Sequence, residues 1–185
     1  MRRNFFLLLA ASVLYAALFP PTTKAFSRVS ASSAAFIETP QNVVVDKRAE
    51  ALKAYLAEHN SPLTDEADTF VSEADKYNLD WKLVAAISGV ESNFGQNIPS
   101  SSYNGWGWGI YGTHTHYFTS WDDAISEVSQ GLRENYINKW GAQDVYGIGH
   151  IYAADPNWAT KVEHYMQEID AFYQYQSDIT LSISI

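Results

Sequence analysis

Apolar residues recur every three or four positions over much of the chain, and this spacing predicts a series of helices. Asp80 and Ser120 precede two of these stretches as N-cap residues, and Pro156 opens a third at a first-turn position. The residue between two apolar stretches is often Asn, Gly or Pro, which ends a helix. The predicted helices cover residues 46–59, 64–77, 81–93, 120–136 and 156–172.

The pattern changes between the third and fourth predicted helices. Residues 95–112 are dense in glycine, serine and aromatic residues, a composition typical of turns and short strands. The predicted fold class is therefore mainly α, a helical domain with a Gly- and aromatic-rich loop or a short β-hairpin as its insert. At the end of the chain, apolar residues alternate with serine over residues 179–185, which predicts a frayed tail or a short strand.

The start of the chain has the organisation of a secretory signal peptide. Arg2 and Arg3 are followed by an almost entirely apolar run over residues 5–19, and Ala25 is a small residue at a possible cleavage point. A spanning helix needs about 20 apolar residues, so a short N-terminal anchor is the alternative. The predicted organisation is a signal peptide or anchor, a linker, the domain and a tail, over residues 1–25, 26–45, 46–178 and 179–185.

This organisation places the domain outside the cytoplasm, secreted or in the cell envelope, with membrane contact only through an uncleaved N-terminal segment. The absence of cysteine excludes disulfides and thiolate chemistry. The formal net charge of −9 disfavours nucleic acid as a partner, because phosphate binding depends on clustered Lys and Arg. Hydrophobic residues make up 46% of the chain, which indicates a globular protein, expected to be a monomer.

Glu91 is the first candidate for chemistry. It follows Ile87 by four residues and Val84 by seven, so it lies at the edge of the apolar stripe of its helix. Apolar surroundings raise the pKa of a carboxyl group, which can then act as a general acid. The alternative is structural: the side chain caps or hydrogen-bonds the glycine-rich segment that follows.

The charge-free segment, residues 92–121, contains no Asp, Glu, Lys or Arg. Its rings are interleaved with glycines, asparagines and serines. Flat apolar rings beside neutral amides and hydroxyls suit a sugar, whose C–H faces stack on aromatics. The alternative is that Trp106 and Trp108 form the inward side of a hairpin. The aromatic residues of the segment are Phe94, Tyr103, Trp106, Trp108, Tyr111, Tyr117, Phe118 and Trp121.

Four strings within residues 67–173 resemble, in their order, the glucosaminidase group of bacterial cell-wall hydrolases. This group is related to the lytic transglycosylases and belongs to the lysozyme-like superfamily. The Glu-Ser pair at the helix end and the Tyr-Ala-x-Asp-Pro-x-Trp/Tyr-Ala string are the most specific parts of the resemblance. The four strings are LVAAISGVESNFG, YNGWGWGIYG, FTSWDDAI and IYAADPNWATKV.

The resemblance implies a lysozyme-like domain that cleaves the β-1,4 glycan strands of peptidoglycan without a cofactor. Glu91 matches the catalytic acid of the group, and Tyr152 matches the aromatic residue beside the sugar. Asn104, Gly109 and Ile110 match the loop under the substrate. Together with the composition of the charge-free segment, this leads us to expect Trp106, Trp108 and Tyr111 in the sugar cleft.

A second catalytic carboxylate is not evident in the sequence. The next acids are Asp122, Asp123 and Glu127, near the start of a predicted helix, where they complement the helix dipole. Their position favours a single-acid mechanism, in which Glu91 protonates the glycosidic oxygen and the substrate's N-acetyl group or 6-hydroxyl attacks. The first nucleophile belongs to a glucosaminidase and the second to a lytic transglycosylase, and the sequence leaves the choice open.

Three other interpretations are weaker. His114 and His116, with His150 or His164, have the residue type of a zinc site, but no Cys or carboxylate lies beside the pair, so we expect no metal. A non-catalytic exported glycan-binding module with a degenerate cleft is the main alternative function. A membrane-tethered assembly protein that uses its aromatic residues for a protein partner is the other.

Overall fold

The computed structural model describes residues 45–110, 112 and 114–183. The domain is mainly helical, with a 3₁₀ turn at Thr64–Glu66 and a π-helical segment at Leu132–Lys139 in addition to its α-helices. The α-helices of this part of the chain are α1 Lys47–Glu58, α2 Ala67–Tyr77, α3 Leu83–Ser92, α4 Trp121–Gly131, α5 Val145–Tyr152 and α6 Trp158–Ile183. The predicted leader and the predicted linker up to residue 44 lie outside the described residues.

Local capping explains why the predicted helices form where they do. The carboxylate of Asp46 accepts a hydrogen bond from the Arg48 amide at 2.9 Å, and the Ser120 hydroxyl accepts one from the Asp123 amide at 3.1 Å. Asn78 ends α2 in the left-handed conformation, with φ of 50°. The third helix begins two residues later than predicted, because Asp80 forms a turn with the Lys82 amide before α3.

Helix α3 is the centre of the domain. All residues from Leu83 to Gly89 are buried, so this helix is apolar around most of its circumference. It packs against α6, while α1 packs against α2 and α6, and α2 packs against α4. This arrangement brings the C-terminal end of α3 to the surface and holds it there. The largest fully buried side chains of the core include Leu52, Leu56, Phe70, Ile87, Phe94, Trp106, Ile125 and Ile169.

Between α3 and α4, the described residues of the charge-free segment form a loop. Among the described residues it contains turns and an isolated bridge at His114 but no strand, so the β-hairpin alternative is wrong for this part of the chain. Gly107 and Gly109 both have φ of 62°, which interrupts an extended backbone. The Asn104 side chain replaces the ladder that a hairpin would provide: it donates to the Trp108 and His116 carbonyls and accepts from the Trp108 amide.

Two elements differ from the prediction. Helix α5 was not predicted, because Gly147 and Gly149 lower helix propensity and interrupt its pattern. Gly149 is required by packing, since a Cβ there would lie 3.0 Å from the Trp158 ring. The predicted tail at 179–185 is wrong up to Ile183, because α6 continues to that residue and the Ser182 hydroxyl bonds to the Ile179 carbonyl at 2.7 Å. None of the described helices combines the length and hydropathy needed to cross a bilayer.

Candidate active site

A tight turn fixes the end of α3 where Glu91 lies. Asn93 and Phe94 both adopt the left-handed conformation, with φ of 53° and 56°, and the Phe94 amide bonds back to the Ser88 carbonyl at 3.0 Å. The Phe94 ring is buried against Gly89, where a Cβ would lie 2.7 Å from it. The helix end therefore has little freedom to move.

Ser92 joins this helix end to the loop. Its hydroxyl donates to the Gly105 carbonyl at 2.7 Å and accepts from the Gly95 amide at 2.9 Å. The side chain is buried, and both functions of the hydroxyl are used by the backbone. Ser92 thus has a structural role and is not a nucleophile.

The two carboxyl oxygens of Glu91 have different neighbours. Oε1 accepts a hydrogen bond of 2.6 Å from the indole Nε1 of Trp158 on α6. Oε2 lies on the side of Gly107, where a Cβ would be 3.5 Å away. The structural alternative for Glu91 was a bond to the segment that follows α3. Its hydrogen bond goes instead to a helix that begins 67 residues later.

The surroundings of Glu91 favour its protonated form. The side chain is open to solvent on one side, yet the protein atoms around the carboxyl group partly desolvate it. Burial raises the pKa of Glu91, while the Trp158 hydrogen bond and the charge of Lys161 lower it, and the net pKa is above its ordinary value. A carboxyl group with a raised pKa beside an open groove can act as a general acid.

An aromatic wall extends from Glu91 along the surface. Tyr152 and Trp158 stack with ring centroids 4.8 Å apart and an interplanar angle of 21°. The ring centroids of Tyr136 and Tyr152 are 5.6 Å apart, and those of Tyr136 and Trp140 are 5.0 Å apart. Trp108 completes the wall at 6.1 Å from Tyr152. Trp158 is buried at the inner end of this wall, and the other four rings line the surface against which an apolar face can stack.

A groove of about 340 Å³ lies against this wall. Trp108 reaches it by lying across Gly131, the last residue of α4, where a Cβ would be 2.3 Å from the ring. Any larger residue at 131 would therefore displace Trp108. None of the residues that line the groove carries a charge: they are Gly107, Trp108, Gly109, Ile110, Asn135, Tyr136, Trp140, Ile151 and Tyr152.

Tyr152 connects the wall to the loop. Its hydroxyl donates a hydrogen bond of 2.5 Å to the Trp106 carbonyl. Burial raises the pKa of Tyr152 well above its ordinary value, and the nearby charge of Glu91 adds to the effect. The Tyr152 ring is thereby neutral and fixed in orientation.

The other predicted site residues have different positions. Trp106 is fully buried, and its indole Nε1 donates to the Val84 carbonyl at 2.8 Å, so the expectation that its side chain contacts sugar is wrong. Asn104 is also buried, and its amide holds the backbone of Trp108 and His116 in place. It shapes the loop under the groove from inside. Tyr111 lies outside the described residues.

Three residues of the wall were not predicted as site residues. Trp158 was visible in the sequence as part of the Asp-Pro-x-Trp string, which we interpreted as a helix start. Tyr136 and Trp140 flank the end of the π-helical segment, where the Trp140 amide bonds to the Asn135 carbonyl at 2.8 Å. A period of 3.6 residues does not indicate which side chains share a face of such a segment.

The three acids that follow the charge-free segment have partners in the scaffold. Asp122 accepts from the Thr69 hydroxyl at 2.5 Å, and Asp123 accepts from the Thr119 amide at 2.9 Å. Glu127 pairs with His116 at 3.4 Å. Within the described ranges, no three His, Cys, Asp or Glu side chains form a group that could hold a metal ion.

Comparison with known proteins gives three findings. No family model matches the chain. Two proteins from different strains of Streptococcus pneumoniae, each named "Putative endo-beta-N-acetylglucosaminidase", are 28% identical over 120 residues. This match covers 60% of the chain but only 18% and 17% of those proteins, so the chain spans less than a fifth of the length of the curated relatives it matches.

Two solved structures of S. aureus autolysin E have the same fold. One is a catalytic mutant in complex with the disaccharide NAG-NAM, with a TM-score of 0.56 and 18% identity. The other is in complex with the muropeptide NAM-L-Ala-D-iGlu, with a TM-score of 0.55 and 19% identity. Each match covers 69% of this chain and 68% of the other chain.

In sequence the chain is similar to these endo-beta-N-acetylglucosaminidases, and in fold it is similar to autolysin E. The sequence resemblance to the glucosaminidase group is thereby confirmed. The helices of this glucosaminidase-like domain place Glu91 at the end of its central helix and the aromatic wall beside it.

Proposed function

We propose that this domain cleaves β-1,4 glycosidic bonds in the glycan strands of peptidoglycan, with Glu91 as general acid and base. The observation that carries the proposal is the position of the Glu91 carboxyl, with its raised pKa, beside an uncharged groove walled by aromatic rings. The similarity to autolysin E, whose structures hold NAG-NAM and a muropeptide, supports the same substrate class. Such a substrate places the protein in the cell envelope or outside the cell.

The groove suits an N-acetylated sugar. Trp140 is 49% exposed and offers a ring face on which the C–H groups of a sugar can stack. Asn135 supplies a neutral amide for hydroxyl or acetamido groups. Gly107 and Tyr152 form the inner part, next to Glu91. We assign the scissile bond to this inner part, where the proton donor lies.

Glu91 then acts as follows. Its carboxyl proton passes to the glycosidic oxygen, the C1–O bond breaks, and its electrons remain with the leaving sugar. In the first route the substrate's own N-acetyl oxygen attacks C1 to give a cyclic oxazolinium intermediate, and water then attacks C1, reopens the ring and gives its proton to the Glu91 carboxylate. In the second route the 6-hydroxyl attacks C1, and the Glu91 carboxylate accepts the hydroxyl proton. The structural partners of Asp122, Asp123 and Glu127 support this single-acid scheme, because each carboxylate is already engaged away from Glu91.

Incubation with purified sacculi tests the proposal, with product analysis by mass spectrometry. New reducing-end sugars indicate a glucosaminidase, and products lighter by one water indicate a lytic transglycosylase. Saturable binding without new glycan ends would instead support the non-catalytic glycan-binding module. An absence of both binding and cleavage would favour a protein partner and overturn the proposal.

A further inference from the structure

The oxygens of the Glu91 carboxyl group are not equivalent. Oε1 receives the 2.6 Å hydrogen bond from the Trp158 indole, and Oε2 lies on the Gly107 side, toward the groove. An indole N–H can only donate, and a carbonyl oxygen accepts a hydrogen bond better than a hydroxyl oxygen does. When Glu91 is neutral, its proton is therefore best placed on Oε2.

We propose that Trp158 is a positioning residue that keeps Oε1 as an acceptor and so assigns proton transfer to Oε2. This inference rests on the proposed function of Glu91 and adds which of its two carboxyl oxygens transfers the proton. The Oε2–H bond breaks as the glycosidic oxygen takes the proton, and the new negative charge spreads over the carboxylate. The indole hydrogen bond strengthens as that charge develops, because charged acceptors bind N–H groups more tightly.

The indole is held in place by the residues packed against it. Trp158 is 3% exposed, and its ring stacks on Tyr152. The Tyr152 hydroxyl is tied to the Trp106 carbonyl at 2.5 Å. Gly149 on α5 approaches the ring so closely that a Cβ would lie 3.0 Å away. The donor therefore points at Oε1 before any substrate binds, which is the condition for a preorganised site.

The charged and titratable groups that act on Glu91 are few. Lys161 acts on it from α6 and Tyr152 interacts with it from α5. The Lys161 ammonium also forms an ion pair with the Asp155 carboxylate at 2.7 Å, so its positive charge is shared between Asp155 and Glu91. Of the two groups that lower the pKa of Glu91, the Trp158 hydrogen bond has the larger effect. Removing the indole N–H should therefore move the Glu91 titration to higher pH.

The experiment compares Trp158→Phe with Trp81→Phe in the full chain. Trp81 packs at 5.7 Å against Tyr173 and is a matched control outside the aromatic wall. Titration of the ¹³C-labelled glutamate carboxyls by NMR, with Glu91 assigned from Glu91→Gln, gives the pKa without any substrate. We expect the Glu91 midpoint to rise in Trp158→Phe and to stay unchanged in Trp81→Phe.

Kinetics give the second readout. We expect kcat of Trp158→Phe to fall about tenfold with a smaller change in KM, because the lost hydrogen bond is strongest in the transition state. The alkaline limb of its pH profile should shift upward with the Glu91 midpoint. A folded Trp158→Phe protein with an unchanged Glu91 midpoint would overturn the inference, whatever its activity.

The wild-type protein provides a test that does not depend on folding of the variant. The Trp158 indole ¹H–¹⁵N resonance should move with the Glu91 titration and lose this dependence in Glu91→Gln. A Trp158 indole chemical shift that stays constant while Glu91 ionises would also overturn the inference. Failure to form new glycan ends would refute the proposed function alone, since both NMR measurements need no substrate.

Discussion

Two tryptophans of the same loop, Trp106 and Trp108, lie in different environments. The first is part of the core and the second lines the groove beside Glu91. Trp106 is fully buried, with its N–H bonded to the Val84 carbonyl and its ring near Phe70 and Trp121. Trp108, two residues later, is only partly buried and faces the groove. An aromatic-rich, uncharged segment therefore supplies both core and binding surface, and composition does not separate the two.

The largest expected effect comes from the core side of this comparison. Trp106→Ala should lower the free energy of unfolding by about 3–5 kcal/mol, because it leaves a cavity and removes the buried hydrogen bond to the Val84 carbonyl. Chemical denaturation measures the loss. A change of less than about 1 kcal/mol would show that Trp106 is not the core residue described above.

Trp140→Ala is the matched change on the groove side. Because Trp140 is 49% exposed, the free energy of unfolding should change by no more than about 0.5 kcal/mol. Affinity for chitin-type or muropeptide oligomers should fall about tenfold, because a stacking face is lost. Calorimetry on both variants separates the two effects. Equal affinity of Trp140→Ala and wild type would remove Trp140 from the sugar site.

A smaller effect concerns two carboxyl groups in the scaffold. Burial, and then the hydrogen bond with Asp122, raises the pKa of Glu66 from 4.5 to about 7. A raised folded-state pKa means that the protonated form contributes stability that is complete below pH 4.5 and is lost as pH rises through about 7.

The wild-type free energy of unfolding should therefore decrease over that interval, and Glu66→Gln should flatten the decrease. Denaturation at a series of pH values measures both slopes. The Thr69 hydrogen bond lowers the pKa of Asp122, so the latter should contribute only at more acidic pH. Identical slopes in wild type and Glu66→Gln would contradict the assignment.

The sequence predicts the helical scaffold better than the site because helices depend on local signals. The Asp46 and Ser120 caps and the left-handed Asn78 all lie next to the elements that they delimit. Glu91 was also found locally, from its place on the apolar stripe of α3. The resemblance led us to expect Tyr152 at the same site, and the Tyr152 ring stacks on Trp158, whose indole bonds to Glu91.

The rest of the site depends on distant contacts. The bond between Trp158 and Glu91 joins residues 67 positions apart, and spacing within one helix carries no information about it. Trp108 reaches the groove because Gly131 leaves room for its ring. The buried position of Asn104 follows from its bonds to the Trp108 and His116 backbone. These relations are fixed only when α4, α5 and α6 pack around the loop.

Whether Glu91 is the proton donor for glycan cleavage is measured by the number of new glycan ends that Glu91→Gln releases from purified sacculi. The glutamine retains an oxygen that can accept from Trp158, so the fold should persist. Glu58→Gln, an exposed change at the end of α1, is the control. We predict loss of at least about a thousandfold for Glu91→Gln and full activity for Glu58→Gln. Release of ends at the wild-type rate by Glu91→Gln would contradict the account.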